Sequence, residues 1–277
     1  MKRNQLLGLA VAAVLALAAC TRLNTPQEKS GYAVGLSIGQ NLASVKDKVD
    51  LAKVFDGFQD EMAGKASLDE KTMREQLQQL NPQGPPGDKA KMGYAIGVSI
   101  GKNLARFKDD VNSARVVSGI KDQLAGKPKM TPEAMKEALN ALTQAQGAKN
   151  KVVGDAYLET NKKKAGVMVT ASGLQYEVLT AGKGKKPTAK NTVRVHYRGT
   201  LIDGKEFDSS YSRNQPAEFP VTGVIPGWVE ALQLMPVGSK YHLVIPSQLA
   251  YGPQGSPSGI GPDSVLIFDV ELLAIVK

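Results

Sequence analysis

Two periodicities divide the chain. Up to about residue 164, apolar positions recur every three or four residues. Tyr32, Leu36, Ile38 and Leu42 form one stripe and Tyr94, Val98, Ile100 and Leu104 another. Val54, Phe58 and Met62 follow at helical spacing, with Gly64 as a stop. Ser67-Leu68-Asp69-Glu70 and Thr131-Pro132-Glu133 read as helix N-termini. In the last hundred residues the period becomes two. Val193, Val195 and Tyr197 share one face and Arg194, His196 and Arg198 the other, so His196 is expected in solvent. Phe268, Val270 and Leu272 alternate with Asp269, Glu271 and Leu273. Asp203-Gly204 marks a tight turn, and Gly227 to Leu234 is the one good helix candidate in this half. The pattern predicts an α+β protein: an all-helical N-terminal module, a long connecting helix, and a C-terminal antiparallel β-sheet wrapped around one short helix.

The helical half is duplicated. Residues 31–80 align without gaps onto 93–142, with 24 of 50 positions identical; GYAVGLSIGQNLA matches GYAIGVSIGKNLA. Residues 81–92, opening Asn81-Pro82-Gln83-Gly84-Pro85-Pro86, read as a non-helical linker. Gly35 and Gly39, repeated as Gly97 and Gly101, would let another helix approach closely. A unit this small cannot bury its own stripe. The copies are therefore expected to pair, either within the chain as a pseudo-dimer or across a homodimer. From Thr131 to Lys164, Ala, Glu, Lys, Leu and Gln dominate. About thirty helical residues would extend roughly 45 Å, with Gly147 and Gly154 as expected breaks or bends. The connecting helix is assigned to 143–171 and the β domain to 172–277.

Composition sharpens this picture at the N-terminus. Lys2 and Arg3 precede an apolar run, Leu6 to Ala19, too short to span a bilayer comfortably. The run ends in Leu17-Ala18-Ala19-Cys20, which resembles the bacterial lipobox. Residues 1–19 then read as a lipoprotein signal peptide, Cys20 as the lipidated residue and membrane anchor, and 20–30 as a tether. That resemblance implies multiple acylation, which stable anchoring needs, and a cell-envelope location. Thr21, where an Asp would signal inner-membrane retention, points to the outer membrane, periplasmic or surface-facing. No later segment reads as a membrane span. Cys20 is the only cysteine, so it has no internal disulfide partner. The formal charge of +9 comes from Lys and Glu interleaved, a solvated surface rather than one basic block. His196 and His242 are the two histidines, and neither stands at metal-ligand spacing. No phosphate loop follows a strand. Metal, cofactor and nucleic acid are therefore not expected.

The chemistry-bearing motifs lie in the β half. Val195-His196-Tyr197-Arg198-Gly199-Thr200-Leu201 is followed by Asp203-Gly204-Lys205-Glu206-Phe207-Asp208-Ser209-Ser210. Val224-Ile225-Pro226-Gly227-Trp228, Met235-Pro236-Val237-Gly238, Ile245-Pro246, Ala250-Tyr251-Gly252 and Leu266 to Leu273 come after. In this order the blocks resemble the FKBP-type peptidyl-prolyl cis-trans isomerases over about Ser172 to Lys277. The repeats resemble the N-terminal dimerisation segment of the macrophage infectivity potentiator group of that family, where a long helix holds the catalytic domain away from that segment. The resemblance implies isomerisation of X–Pro bonds in unfolded or exported polypeptides, without cofactor, and macrolide inhibitors as ligands of the same pocket. By resemblance Tyr197, Phe207, Val224, Ile225, Trp228, Tyr251, Ile260 and Phe268 line that pocket, and Phe219 is a further substrate-binding candidate. Trp228 would be the floor, and Phe207 and Phe268 walls. The Tyr251 hydroxyl and the Ile225 N–H would donate to substrate carbonyls, and Asp208 would stand at the rim. Ala217 stands where many members carry an upper-wall phenylalanine. Gly223, Ser256 and Gly259 also depart from the pattern, which bears on substrate preference and macrolide affinity. A tethered periplasmic chaperone or adaptor with weak isomerase activity is the alternative, and a purely structural lipoprotein a third reading.

Overall fold

The computed structural model describes residues 22–80 and 87–276. Cys20, the signal segment before it and residues 81–86 of the linker lie outside the described residues. The chain divides at Leu142/Thr143 into two compact units.

The first unit is helical: α1 (Pro26–Leu42), α2 (Leu51–Met62), α3 (Glu70–Gln78), α4 (Lys89–Leu104), α5 (Ser113–Leu124) and the start of α6 (Pro132–Asn161). Short polar side chains start these helices by satisfying first-turn amides. Thr25 and Glu28 form a reciprocal capping box on α1, and Asp50, Asp69, Asp88 and Asn112 cap the next four.

The copies interlock by exchange. The first helix of copy one, α1, packs on the second helix of copy two, α5; α2 packs on α4 in the same way. At each crossing, glycines bring backbone onto backbone. A Cβ on Gly35 would collide with the Val116 carbonyl and one on Gly119 with the Tyr32 carbonyl. Gly97 and Gly57 meet Val54 and Tyr94 identically. Tyr32 donates its hydroxyl to Asp122 and Tyr94 to Asp60, both at 2.9 Å. Burial pushes the Tyr32 phenol up to about 12, so it stays a donor at neutral pH. Val54, Phe58, Val116 and Ile120 fill the core between the pairs.

The second unit is a sheet of β1 (Val167–Val169), β2 (Gln175–Thr180), β3 (Thr192–Leu201), β4 (Glu206–Ser209), β5 (Ala217–Pro220), β6 (Lys240–Ile245) and β7 (Leu266–Ile275). Its order is β1-β2-β6-β7-β3-β4, with β5 also on β3. Every pairing is antiparallel. The inward positions Val193, Val195, Tyr197, Phe268, Val270 and Leu272 pack against Trp228, Ala231 and Leu232 of α7 (Pro226–Leu234). Gly204, at φ 84°, makes the β3–β4 turn; its N–H donates to the Leu201 carbonyl at 3.0 Å.

Three expectations are corrected. α6 runs unbroken through Gly147 and Gly154. Both face the β unit, where a Cβ would meet Asp263 Oδ2 at 2.7 Å and Val265 Cγ2 at 2.8 Å respectively. Their missing side chains allow close approach, and tertiary contact outweighs their low helix propensity. The helix ends at Asn161 rather than 171, and β1 already pairs with β2 before residue 172. His196 is half-buried: it stacks on Tyr211 at 4.7 Å and its Nδ1 lies 2.9 Å from Ser210 Oγ. Among the described residues no helix is long and apolar enough to cross a membrane.

Candidate active site

The inner face of the sheet is not filled by α7. A cavity of about 650 Å³ opens there, and all ten pocket residues named from the sequence line it: Tyr197, Phe207, Asp208, Phe219, Val224, Ile225, Trp228, Tyr251, Ile260 and Phe268. Gly223 and Ser258 also line it. The β-period places Tyr197 on β3 and Phe268 on β7 toward this face. Phe207 sits at the irregularity in the β3–β4 register, beside the Gly199–Asp208 pair, and Gly199 leaves the space its ring occupies; a Cβ on Gly199 would sit 2.8 Å from that ring and 2.7 Å from the Phe268 ring.

Trp228 is the hub. It is 4% exposed, and the rings of Tyr197, Phe268 and Phe219 contact it edge-on at 5.3, 5.2 and 6.0 Å. Phe207 meets Phe268 edge-on at 5.4 Å. Each such pair is worth about 0.5–1.5 kcal/mol beyond burial, so the walls are held by one another. Pro226 opens α7 at its first position. The Ile225 carbonyl accepts from the Trp228 and Val229 amides at 2.9 and 3.1 Å, which closes the first turn. The Trp228 Nε1–H is buried without an acceptor among the described residues, leaving one donor in the cavity floor. Tyr251 stands at the mouth, 41% exposed.

The polar rim is a closed triangle. Tyr197 donates its hydroxyl to Asp208 Oδ2 at 2.5 Å, Arg213 Nη1 donates to Asp208 Oδ1 at 2.6 Å, and Arg213 Nη2 to the Tyr197 oxygen at 2.8 Å. Burial pushes the Asp208 carboxyl up, but the hydrogen bonds from Arg213 and Tyr197 outweigh it and hold the group below the usual carboxylate range. Burial, with the Asp208 hydrogen bond, pushes the Tyr197 phenol up. The rim therefore carries an ionised carboxylate already paired with a guanidinium and a neutral phenol, a constellation suited to orientation rather than proton transfer. Arg213 was not among the candidates read from the sequence. It sits in a short 3₁₀ turn, Tyr211–Arg213, where no period applies, and its one signal is a position five residues after Asp208. Phe219 lines the cavity from β5, two residues after Ala217, which pairs with Val195 of β3.

A family profile described as FKBP-type peptidyl-prolyl cis-trans isomerase matches residues 183–273. A second, the domain amino terminal to that isomerase, matches twice, at 27–84 and 89–178. The FKBP-type peptidyl-prolyl cis-trans isomerase FkpA of Aeromonas hydrophila is 46% identical, over 67% of this chain and 75% of its own length. The outer membrane protein MIP of Legionella longbeachae is 43% identical over 69% and 87%. The crystal structure of FkpA from Escherichia coli superposes with a TM-score of 0.51 at 40% identity, over 68% of this chain and 97% of that one.

Proposed function

The chain belongs to the FKBP-type peptidyl-prolyl cis-trans isomerase family and is an isomerase of that type, and we propose that the aromatic cavity around Trp228 is where the X–Pro bond turns. The amide barrier is about 18–20 kcal/mol and comes from partial double-bond character. No bond forms or breaks, so catalysis requires only that the twisted state be bound better than the planar ones. An apolar chamber withholds the water that stabilises the planar, polar amide. On this reading Trp228 is the floor under the proline ring, and Phe207, Phe268, Phe219, Val224 and Ile260 are the walls. The Tyr251 hydroxyl and the Ile225 N–H anchor flanking substrate carbonyls. Asp208, its charge balanced by Arg213, orients the rim without taking a proton.

The observation that carries this reading is convergence. Side chains spread from Tyr197 to Phe268 enclose one concave, mostly apolar space, with the Tyr197–Asp208–Arg213 cluster at its rim and the Trp228 Nε1–H in its floor. We further propose that the enzyme works in the cell envelope, tethered by an acylated Cys20, on proline-containing exported polypeptides. The lipobox-like Leu17-Ala18-Ala19-Cys20 supports this, as does a relative named an outer membrane protein.

The test is cis-to-trans turnover of a short X–Pro peptide by the chain from residue 21 onward, beside Phe207→Ala and Trp228→Ala. Both variants should lose at least about tenfold in kcat/KM, roughly the value of one lost wall contact in the twisted state. Folded variants that turn over at the parent rate would place the chemistry elsewhere.

A further inference from the structure

The cavity is closed on one side by the segment 252–265, which carries Ser258 and Ile260. The segment folds on itself. Ser256 and Ile260 exchange backbone hydrogen bonds at 2.8 and 3.2 Å, and the Asp263 N–H returns to the Gly252 carbonyl at 2.8 Å. Gly255 and Asp263 hold positive φ, 63° and 51°. For Asp263 that backbone is uncommon, and surrounding contacts must maintain it. The Gly252 carbonyl holds Asp263 itself, and α6 holds the residues on either side of it. Asn150 Nδ2 donates to the Pro262 carbonyl at 2.7 Å and lies 3.4 Å from Ser264 Oγ, which itself donates to the Gly261 carbonyl at 2.9 Å. A carbonyl can only accept, so the amide nitrogen must face Pro262.

The seat extends along one helical face. A Cβ on Gly147 would lie 2.7 Å from Asp263 Oδ2, and one on Gly154 would lie 2.8 Å from Val265. Further along, the Leu158 carbonyl accepts from Gln175 Nε2 and Asn161 Nδ2 donates to Gln175 Oε1, each at 3.0 Å. Positions 147, 150, 154, 158 and 161 recur at the helical repeat and form one stripe. The stripe ties the base of the cavity loop to a helix that precedes the sheet.

We propose that Asn150 is a positioning residue of the isomerase: by clamping Pro262 it fixes where Ile260 stands in the cavity, and so sets the preference for the residue next to proline. This rests on the cavity reading given above. The test uses the full chain, solubilised in detergent, with Asn150→Ala, Asn150→Asp, Gly147→Ala and, as control, Lys151→Ala on the exposed side of α6. kcat/KM is measured across peptides differing only in the residue before proline, together with amide exchange over 252–265. Asn150→Asp keeps the shape but places an acceptor against the Pro262 carbonyl, so it should act like Ala or more strongly. Both Asn150 variants should change the ratio between bulky and small peptides by on the order of three- to tenfold, the range of one neutral hydrogen bond, and Gly147→Ala, whose methyl meets the movable end of the Asp263 side chain, should change it less. Exchange should quicken in 252–265, and Lys151→Ala should do neither. Unchanged selectivity in the Ala and Asp variants overturns the proposal. So does an equal loss for every peptide with the loop still protected. The Phe207→Ala comparison reports separately on the cavity reading, because that variant touches neither the helix nor the loop base.

Discussion

Gly97→Ala tests whether the two sequence copies are held together by direct backbone contact. On an exposed stretch of helix this change is favourable, because alanine is the better helix former by about 1 kcal/mol. Here the new methyl would run into the Val54 carbonyl oxygen, with the Phe58 nitrogen at 2.6 Å and the Gly57 carbonyl carbon at 3.0 Å. No rotamer relieves a backbone clash, so α4 must lift from α2 and loosen the packing of Val54, Phe58 and Ile96. Overpacking of this kind costs about 1–3 kcal/mol. With the backbone unable to yield, the upper end applies and the net loss is about 2 kcal/mol. That corresponds to roughly a 5–10 °C fall in the Tm of the helical unit, followed by far-ultraviolet circular dichroism. Gly39→Ala, whose methyl meets the Gln123 side chain first and backbone only at the Ile120 carbonyl, 3.1 Å away, should cost less. Gly97→Ala and Gly57→Ala share one crossing and should be non-additive, whereas Gly97→Ala and Gly35→Ala lie in different crossings and should add. A rise in Tm for Gly97→Ala would refute the reasoning outright, since it would mean the methyl finds room.

At the rim, the folded-state pKa of Asp208 lies below its unfolded value. Its ionised form is therefore favoured above the unfolded pKa of about 3.9, and the benefit is lost as pH falls through the lower folded value. Turnover should thus be flat from about pH 5 to pH 8, while Arg213→Ala leaves burial to push Asp208 up and moves the acid limb toward neutrality; identical pH profiles would remove Arg213 from the rim's electrostatics. Cys20→Ser should release the protein from the membrane fraction and abolish fatty-acid labelling, and a variant that stays membrane-bound and labelled would overturn the anchor assignment.

Much of the architecture was legible because burial imposes a period. The alternation at Val193, Val195 and Tyr197 reports a strand with one wet face, and the copy-to-copy match of Gly35 with Gly97 reports a contact made twice. The aromatic cavity residues were legible through their order along the chain. What stayed hidden depends on neighbours remote in sequence. Arg213 reaches Asp208 from a turn whose next residue, Asn214, is left-handed at φ 51°. His196 is only half in solvent because Tyr211, fifteen residues on, lies flat against one face of it. Gly147 and Gly154 read locally as helix breakers, and only the loop packed against them reveals close approach. Asn150 is one polar residue among many on a polar helix until Pro262 is placed beside it.

Carrying both halves of the interlocked helical unit on one polypeptide has a consequence for dosage. Partners on separate chains dissociate on dilution, with an occupancy that follows expression level. Joined by a short linker, each meets the other at an effective concentration in the millimolar range, whatever the amount of protein made. The two halves are also free to diverge. Lys129 already donates its N–H to the Tyr32 oxygen and pairs with Asp122 at 3.0 Å, whereas the matching position beside Tyr94 and Asp60 is Ser67. On the proposed reading of the cavity, pairing within the chain supplies one cavity per interlocked unit, so their ratio is set by the gene rather than by assembly.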